Sequence, residues 1–319
     1  MAEPPSAGST VVNAGEAERA SPAALKTRYR FRERLFTLAL TGSGAVVLAI
    51  VAGVVVSLVI GAAPSLGAFG LNFLTGETWD PNTAAYGALP FIVGTLLTSS
   101  LALLISLPFS FSLAVLLGEY ARQGVFGTVI RTMMELLAGI PSVVYGLAGA
   151  FFLIPVIQEV EMALGVTPYG VGILSASLVL AVMIIPYAAT LGKEVLELVP
   201  LDLKEGAYAL GATRFEVVTR VSVPYSFSGI VAGVILSLGR ALGETIAVTM
   251  LIGNMNAVPD GIFAPGQTIA SLIANQFNEA GNELHRAALL EMGLVLLLIT
   301  AIVNVIGKLV VNKMSVRGK

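Results

Sequence analysis

Long apolar runs separated by short polar segments make up most of the chain. Six runs are long enough to cross about 30 Å of hydrocarbon, at about residues 36–60, 89–117, 136–158, 171–192, 226–253 and 287–308. Because the bilayer core offers no hydrogen-bond partner to an open backbone, each run is predicted to be a helix. The pattern therefore predicts an all-α membrane protein with six transmembrane helices, in contact with lipid.

Composition agrees with a membrane protein. Of the 319 residues 56% are hydrophobic and 12% are charged, and the mean hydropathy is +0.87. An ordinary soluble domain has about 25% charged residues. The net charge of −2 gives no reason to expect a nucleic-acid partner, and the lack of cysteine excludes disulfides and thiolate metal sites.

Lysine and arginine are distributed unevenly between the two sides of the predicted helices. They are concentrated before the first run, after the second, after the fourth and after the sixth, whereas the opposite loops are acidic and hold only Arg286. Loops rich in lysine and arginine face the cytoplasm. We therefore expect both termini and the loop between the fourth and fifth helices to be cytoplasmic.

The first residues differ in composition from the rest. Residues 1–34 begin with a stretch rich in alanine, serine, glycine, proline and glutamate, so we expect a cytoplasmic, largely disordered tail. The first apolar run is long enough to span the bilayer, which argues against a cleaved signal peptide. Residues 35–319 are predicted to form the transmembrane domain.

A polar segment, residues 205–224, separates the fourth and fifth apolar runs. Asp202 precedes Glu205 by three residues, and Thr213 precedes Glu216 by three. Each pair has the spacing of a capping box, in which the first side chain caps a helix and the second bonds back. The segment is thus predicted to contain two short helices outside the bilayer.

The turn between these helices is predicted from single residues. Gly211 lies where the first helix must end, in a left-handed conformation that glycine adopts without strain. Pro224 is expected to stop the second helix. An amphipathic hairpin without a partner is the alternative interpretation.

The same segment resembles the EAA loop of ABC-importer permeases, which docks into the ATPase subunit. The resemblance is in Glu205, Gly206, Ala207, Gly211, Ala212, Thr213 and the V-S-V-P sequence that ends at Pro224. Two departures are Gly206, where the family usually has alanine, and valine at 221 and 223 in place of isoleucine and leucine. The resemblance implies that residues 193–224 form a cytoplasmic coupling loop.

Arg240 lies near the middle of the fifth run, and Glu244 follows it four residues later. A charge in the centre of a membrane helix costs about 2.5–3.5 kcal/mol on insertion scales, and such residues commonly mark substrate pathways. On one continuous helix both side chains would project from the same face. The planar guanidinium of arginine suits a tetrahedral oxyanion, because it can bind two oxygens at once.

Two structural interpretations compete with a pathway role. Gly229 and Gly233 have the G-x-x-x-G spacing of a close helix-packing motif, as do Gly239 and Gly243. Arg240 could also form a purely structural salt bridge with a glutamate one turn away.

Four further segments resemble the PstC-type permease subunits of bacterial phosphate ABC importers, over about residues 70–310. They are residues 79–81 (W-D-P), 86–99, 135–146 and 239–245 (G-R-A-L-G-E-T). The resemblance implies six helices of the type I ABC importer kind, with a core at about residues 89–308. It places Ser237, Arg240, Glu244 and Thr245 on the substrate pathway.

The resemblance also implies an assembly in the bacterial inner membrane. Its other members would be a PstA-like second permease subunit, two cytoplasmic PstB-like ATPase subunits and an extracytoplasmic PstS-like phosphate-binding protein. The sister PstA-type subunit shares the R-A-x-G-E-T element and remains an alternative identity. Another oxyanion, such as molybdate or phosphonate, remains an alternative cargo.

Catalysis by this chain alone is not predicted. No G-x-x-x-x-G-K-[ST] sequence occurs, so the chain lacks a P-loop for ATP. No metal-ligand spacing, cofactor motif or nucleophile–base pair is present. A stand-alone secondary transporter or channel is the alternative of another class, although the inverted repeats common in such proteins are not visible.

Three polar or aromatic features are given structural interpretations. Trp79 and Tyr86 are expected to anchor the chain at the outer interface, and His285 to be a polar residue at a membrane boundary. Glu159 and Glu161 are expected to form a solvated acidic patch.

Overall fold

A computed structural model of the protein describes the backbone of residues 22–315 and the side chains of residues 33–313. The disordered tail predicted for the first residues thus lies largely outside the described residues. Helix α1 begins at Pro22, so residues 22–34 are helical, and the disorder predicted for most of the tail stays a prediction. The chain divides into two units, one ending at Val56 and one beginning at Ser57.

Within the described part of the chain, six helical segments are long and apolar enough to cross a membrane, which confirms the predicted number. These spans one to six are Glu33–Phe69, Leu89–Tyr120, Ser142–Ala163, Ile173–Glu197, Arg214–Leu242 and Glu283–Lys313.

The elements that make up and connect these spans are mostly α-helices. They are α1 (Pro22–Phe69), α2 (Asn72–Thr75), α3 (Leu89–Val115), α4 (Val125–Gly139), α5 (Ser142–Ala148), α6 (Ile154–Ala163), α7 (Ile173–Glu197), α8 (Leu201–Ala209), α9 (Arg214–Val217), α10 (Val223–Leu242), α11 (Ile246–Leu251), α12 (Ile269–Gln276) and α13 (Glu283–Ser315). Wider π-helical turns occupy Leu116–Tyr120, Gly149–Leu153 and Val218–Ser222, and a 3₁₀ turn occupies Phe277–Glu279. Strands β1 (Trp79–Asp80) and β2 (Ala85–Tyr86) pair antiparallel, with Trp79 opposite Tyr86.

Helix α7 lies at the centre of the second unit, where α3 and α10 pack against it. Small residues bring these helices close together. A Cβ at Gly229 would lie 2.5 Å from Val195, and one at Gly233 would lie 2.9 Å from Leu191. The Gly229–Gly233 motif is therefore a packing motif, as one of the two structural interpretations proposed.

Three predicted boundaries are wrong. Span three was expected from residue 136, but α4 ends at Gly139 and a new helix begins at Ser142, after Pro141. Span five was expected to run to residue 253, but α10 ends at Leu242. Helix α7 continues to Glu197, so the loop that follows span four begins later than residue 193.

The aromatic residues expected at an outer membrane interface are buried instead. Trp79 is 5% exposed, Tyr86 4% and His285 5%. The Trp79 indole N–H donates to Gln276 Oε1 over 2.8 Å, and His285 Nε2 lies 3.2 Å from the same oxygen. The Tyr86 and His285 rings are stacked, with centroids 5.5 Å apart. These residues form the core of a small cap around the β1–β2 hairpin.

The turn of this hairpin is fixed by Asp80. Its carboxylate accepts the Asn82 backbone N–H and the Thr83 hydroxyl, each over 2.9 Å. Both hydrogen bonds favour the charged form, so the pKa of Asp80 lies below its usual value.

Two glutamates lie in surroundings that the pattern did not predict. Glu161 is buried, and its carboxylate accepts the backbone N–H of Gly170 over 2.7 Å. It therefore fixes a loop, and the prediction of a solvated acidic patch is wrong for this residue. Glu291 lies within span six and is also buried. The apolar run predicted for this span therefore contains a buried glutamate.

Gly94 offers a test of this packing. Helix α3 is buried at this position, and a Cβ would overlap the backbone carbonyl of Gln267. We expect Gly94→Ala to destabilise the protein by about 1–3 kcal/mol, the usual cost of overpacking, and to lower its unfolding temperature in detergent. The control Gly67→Ala lies in a helix with open space around it and should unfold at the parental temperature or slightly above it. Equal stability of the two variants would contradict the close approach at Gly94.

Candidate transport site and coupling loop

The predicted charged pair lies at a break in the fifth span. Arg240 belongs to the last turn of α10, which ends at Leu242, and residues 243–245 are not helical. The chain becomes helical again at Ile246, in the short α11. The two side chains are therefore not carried by one continuous helix.

The break changes the role of Glu244. Among the described residues, the ion pairs within 4.0 Å are Lys193–Glu197 and Lys204–Glu119, so the alternative interpretation, a structural salt bridge between Arg240 and Glu244, is wrong. Glu244 Oε1 instead accepts the backbone N–H of Ala247 over 3.4 Å, at the start of α11. A carboxylate in this place is favoured by the partial positive charge of the helix N-terminus.

Arg240 rests on an aromatic ring. Its guanidinium carbon lies 4.2 Å from the centroid of the Tyr187 ring, a cation–π contact. The Tyr187 hydroxyl donates to the Ala138 carbonyl over 3.3 Å, and Tyr145 donates to the neighbouring Leu137 carbonyl over 2.8 Å. Both carbonyls belong to the last turn of α4, and that of Leu137 also accepts the Ile140 backbone N–H over 3.3 Å.

The position of Tyr187 follows from the packing of α7 on α10. Tyr187 lies one turn from Leu191 and two turns from Val195 on α7, and those two residues contact the glycines of α10. Spacings of four place all three on one helix face. As the two helices run past each other, this face brings Tyr187 beneath Arg240.

The remaining predicted pathway residues lie in two different environments. Ser237 is 1% exposed, and its hydroxyl donates to the Gly233 carbonyl over 2.9 Å. This places Ser237 in the packing between helices, whereas Arg240 is exposed. Thr245 lies in the break, half-buried, and its hydroxyl donates to the Gly243 carbonyl over 3.2 Å.

This arrangement leaves an arginine fork free to bind an anion. No described carboxylate lies within 4.0 Å of the Arg240 guanidinium, and the aromatic face below it offers attraction without a competing charge. The described residues contain no cluster of three or more potential metal ligands. An arginine guanidinium held in this way has a planar fork of N–H donors, whose geometry suits an oxyanion.

Sequence reasoning missed Tyr187. It lies in a long apolar run, 53 positions before Arg240, with no local signal of a polar role. The only available hint was an aromatic residue directly after a proline in the middle of a span.

The polar segment after span four forms the predicted helix–turn–helix, with one correction at its start. Helix α8 begins at Leu201, and its N-cap residue is Pro200. Asp202 lies in the first turn of the helix and makes no cap, so the first predicted capping box is wrong. Helix α8 thus begins four residues before Glu205, directly after Pro200.

The turn and the second helix start agree with the prediction. Gly211 has φ +85°, and the Ala212 N–H donates to the Ala207 carbonyl over 3.1 Å across the turn. The Thr213 hydroxyl accepts the Glu216 backbone N–H over 3.4 Å, and the Glu216 carboxylate accepts the Thr213 backbone N–H over 2.9 Å. The second capping box is thus confirmed.

Pro224 does not stop the second helix. The π-helical turn Val218–Ser222 precedes it, and α10 begins at Val223, so Arg214–Leu242 is one helical span. A proline ring clashes with the carbonyl four residues earlier in an ordinary helix. The wider turn removes this conflict, and the coupling segment continues directly into the helix that carries Arg240.

The predicted loop exposes apolar side chains to its surroundings. Glu205 and Gly206 are exposed, and so are several large apolar residues of the loop, namely Leu201, Leu203, Tyr208, Leu210 and Phe215. Leu210, beside the glycine turn, is 91% exposed. Exposed apolar patches beside polar residues are typical of surfaces that bind another protein.

Known proteins similar to this chain are permease subunits. The model of the family described as binding-protein-dependent transport system inner membrane component matches residues 108–316. The phosphate transport system permease protein PstC of Haemophilus influenzae is 44% identical over 284 residues, which cover 84% of this chain and 90% of that protein. The protein of the same name from Mesorhizobium japonicum is 38% identical over 324 residues, which cover 97% of this chain and 99% of the relative.

Solved structures with the same fold belong to ABC transporters. An inward-facing MetNI methionine transporter chain has a TM-score of 0.53 at 18% identity and covers 72% of this chain and 94% of its own length. The bacterial alginate ABC transporter, in complex with an alginate pentasaccharide-bound periplasmic protein, contains a chain with a TM-score of 0.57 at 16% identity. That match covers 88% of this chain and 95% of the other. Both likenesses support the type I ABC importer permease fold.

The confirmed capping box at Thr213 and the rejected one at Asp202 give a paired prediction. Thr213→Ala removes a side chain that caps α9, at a cost of about 1 kcal/mol, whereas Asp202→Ala removes no cap. Hydrogen–deuterium exchange followed by mass spectrometry should show faster exchange over residues 213–218 in Thr213→Ala. Exchange over residues 201–209 in Asp202→Ala should stay near the parental rate. Faster exchange in the second variant alone would reverse the assignment of the caps.

Proposed function

The chain belongs to the binding-protein-dependent transport system inner membrane component family, as one of its PstC permeases, and we propose that it translocates inorganic phosphate. It would act as a transmembrane subunit of an ATP-driven importer. The observation that carries the proposal is the exposed Arg240 guanidinium, held on Tyr187 without a described carboxylate partner. The curated PstC relatives supply the identity of the anion.

Phosphate chemistry fits this guanidinium. Phosphate presents tetrahedrally arranged oxygens, two of which can accept parallel hydrogen bonds from the arginine fork. Burial of the charge in a membrane is costly, and the Tyr187 ring lowers this cost without occupying the N–H donors. An anion that passes the break would therefore find a preoriented donor and leave it again without displacing a salt bridge.

Glu244 and Thr245 would shape the break rather than neutralise Arg240. Glu244 contacts the start of α11 and Thr245 bonds within the non-helical turn. Both hold the chain in the conformation that ends α10 just after Arg240. Glu244 also lies close to Arg240 in the chain, beside the proposed route of the anion. Its negative charge would repel the anion and so favour its release.

The proposed energy source is ATP hydrolysed by partner subunits, since the chain has no P-loop. The relatives are permease subunits of transport systems. By analogy, the importer would contain a PstA-like second permease, two PstB-like ATPase copies and an extracytoplasmic PstS-like phosphate-binding protein.

The coupling loop is the proposed contact with the ATPase. Its glycine turn exposes Leu210, and the surrounding helices expose Tyr208 and Phe215, which an ATPase groove would bury. The two short helices and the turn between them contain Glu205, Ala207, Gly211, Ala212 and Thr213. Pro224 lies at the start of the transmembrane helix α10.

The chain is a multi-pass inner membrane protein, and we propose that both termini and the coupling loop are cytoplasmic. The support is the excess of lysine and arginine on that side. This orientation brings the exposed apolar loop to the compartment that contains ATP. The PstC relatives do not favour molybdate or phosphonate as cargo, and no feature of the described residues favours a stand-alone transporter.

Substitutions at position 240 test the pathway role. Arg240→Gln removes the charge, and we expect phosphate uptake to fall by about tenfold to a hundredfold, the value of one hydrogen bond to a charged group. Arg240→Lys keeps the charge but loses the planar fork and should give intermediate uptake. Uptake is measured in membranes that contain equal amounts of the assembled importer.

Glu244→Gln provides the comparison for this series. The glutamine oxygen can still accept the Ala247 N–H, but the repelling charge is lost and release should be slower. Uptake should therefore fall below the parent and stay above that of Arg240→Gln. If Arg240→Gln transports phosphate at the parental rate, Arg240 is structural and the proposed pathway is wrong.

Gly211→Val tests the role of the loop. Valine is strained at φ +85°, by roughly 1–2 kcal/mol, and should move the turn out of position. In a reconstituted importer, ATP hydrolysis stimulated by the phosphate-loaded binding protein should fall towards its unstimulated rate. Gly165→Val is the matched control, because Gly165 also has a positive φ, +72°, with no neighbouring atom within 4 Å, in a loop predicted to lie on the other side of the membrane. Full stimulation in Gly211→Val would exclude this turn from coupling.

A further inference from the structure

A buried ion pair joins the coupling loop to span two. Lys204, in α8, is 7% exposed, and its ammonium nitrogen lies 2.7 Å from Glu119 Oε1. The two side chains are 8% and 10% exposed. Buried charges are costly to desolvate, and removal of one partner leaves the other charge buried and unpaired. The pair therefore fixes α8 to one place on the end of span two.

The second helix of the loop binds the same place. Arg214, in α9, donates through Nη2 to the Glu119 carbonyl over 2.5 Å and to the Tyr120 carbonyl over 3.3 Å. Its guanidinium carbon lies 4.6 Å from the centroid of the Tyr120 ring. Cations on both sides of the glycine turn thus converge on two consecutive residues that are far from the loop in sequence.

The receiving end of span two is itself fixed to span four. Glu119 and Tyr120 end the π-helical turn Leu116–Tyr120. Gly118 in the same turn lies against Leu196 of α7, where a Cβ would be 3.0 Å from the leucine Cβ. Arg122, just beyond the turn, donates to the Glu197 carbonyl at the end of α7 over 3.1 Å.

These contacts define a mechanical unit. The loop is covalently continuous with spans four and five, and the polar contacts add span two. Span four carries Tyr187 and span five carries Arg240, so the ends of three helices around the candidate pathway meet at Glu119.

We propose that Glu119 is a positioning residue that clamps the coupling loop to span two, so that ATPase movements reach spans two, four and five together. The proposal rests on the proposed function of the loop. The clamp, defined as the contacts of Glu119 with Lys204 and Arg214, stays closed during transport. Without the clamp, a movement of the ATPase would deform the coupling loop instead of moving spans two, four and five.

Charge reversal tests the clamp in the whole importer. Glu119→Lys and Lys204→Glu each place like charges side by side, and the double variant restores an ion pair with the charges exchanged. We expect each single variant to lower the phosphate imported per ATP hydrolysed by about tenfold or more, because a buried charge loses its partner. The double variant should recover most of the parental ratio. The amount of ATPase subunit that co-purifies shows that the complexes are assembled.

Glu197→Gln is the matched control. It breaks the Lys193–Glu197 pair, which is longer, 3.6 Å, and more exposed, with Glu197 29% exposed, and leaves the carbonyl that binds Arg122 intact. Partly exposed ion pairs four residues apart on a helix contribute little, so the ratio should stay parental. A parental ratio in both single reversals, or no recovery in an assembled double variant, would overturn the clamp.

Cross-linking tests the clamp without relying on charge reversal. The chain contains no cysteine, so Glu119→Cys with Lys204→Cys introduces the only two thiols of this subunit. We expect this pair to import less phosphate per ATP than the parent, and a short bifunctional thiol reagent to restore the ratio. If the cross-link leaves the ratio low or stops transport, the two residues must separate during the cycle, and a permanent clamp is wrong.

The experiments distinguish failure of the proposed clamp from failure of the proposed coupling role of the loop. If the loop plays no part in coupling, both Gly211→Val and Glu119→Lys keep the parental ratio. If the loop couples without the clamp, Gly211→Val is defective and Glu119→Lys is parental.

Discussion

The close approach of α10 to α7 is the constraint on which the site depends. Helices in a membrane gain little from the hydrophobic effect, so their association relies on tight packing between small residues. Gly229 and Gly233 supply the space into which Val195 and Leu191 fit. One turn further along α7, the same contact line places Tyr187 beneath Arg240. Larger residues at the two glycines would separate the helices and, with them, Tyr187 from Arg240, the two parts of the proposed anion site.

Local sequence signals predicted the parts of the structure that depend on neighbouring residues. The six spans follow from apolar length, and the Gly211 turn and the Thr213–Glu216 capping box follow from backbone chemistry within one turn of helix. The wrong predictions arise where the same local sequence is compatible with two backbone conformations. Pro224 ends a regular helix but is tolerated after a π-helical turn, and nothing in the local sequence distinguishes the two outcomes.

Contacts between distant segments could not be predicted from one sequence. Arg240 and Glu244 have the spacing of a helical ion pair, but the helix ends between them, and the partners actually bound are Tyr187 and the start of α11. Glu119 is likewise an isolated acidic residue in the sequence, and its partner Lys204 lies in another span's loop. The sequence shows where the charged residues lie in the chain, whereas only the folded structure shows which side chains they contact.

The two cationic sites illustrate different uses of a positive charge. Lys204 meets a carboxylate directly, and such a pair is strong only while both members stay together, which suits a joint that transmits force. Arg240 meets an aromatic face, whose attraction is weaker and leaves the N–H donors without a partner among the described residues. A carboxylate in that position would compete with each incoming oxyanion, and an isolated guanidinium would be costly in the membrane and free to reorient. The tyrosine, fixed by its own hydrogen bond to Ala138, provides orientation without competition, and this is the property that a transient anion site requires.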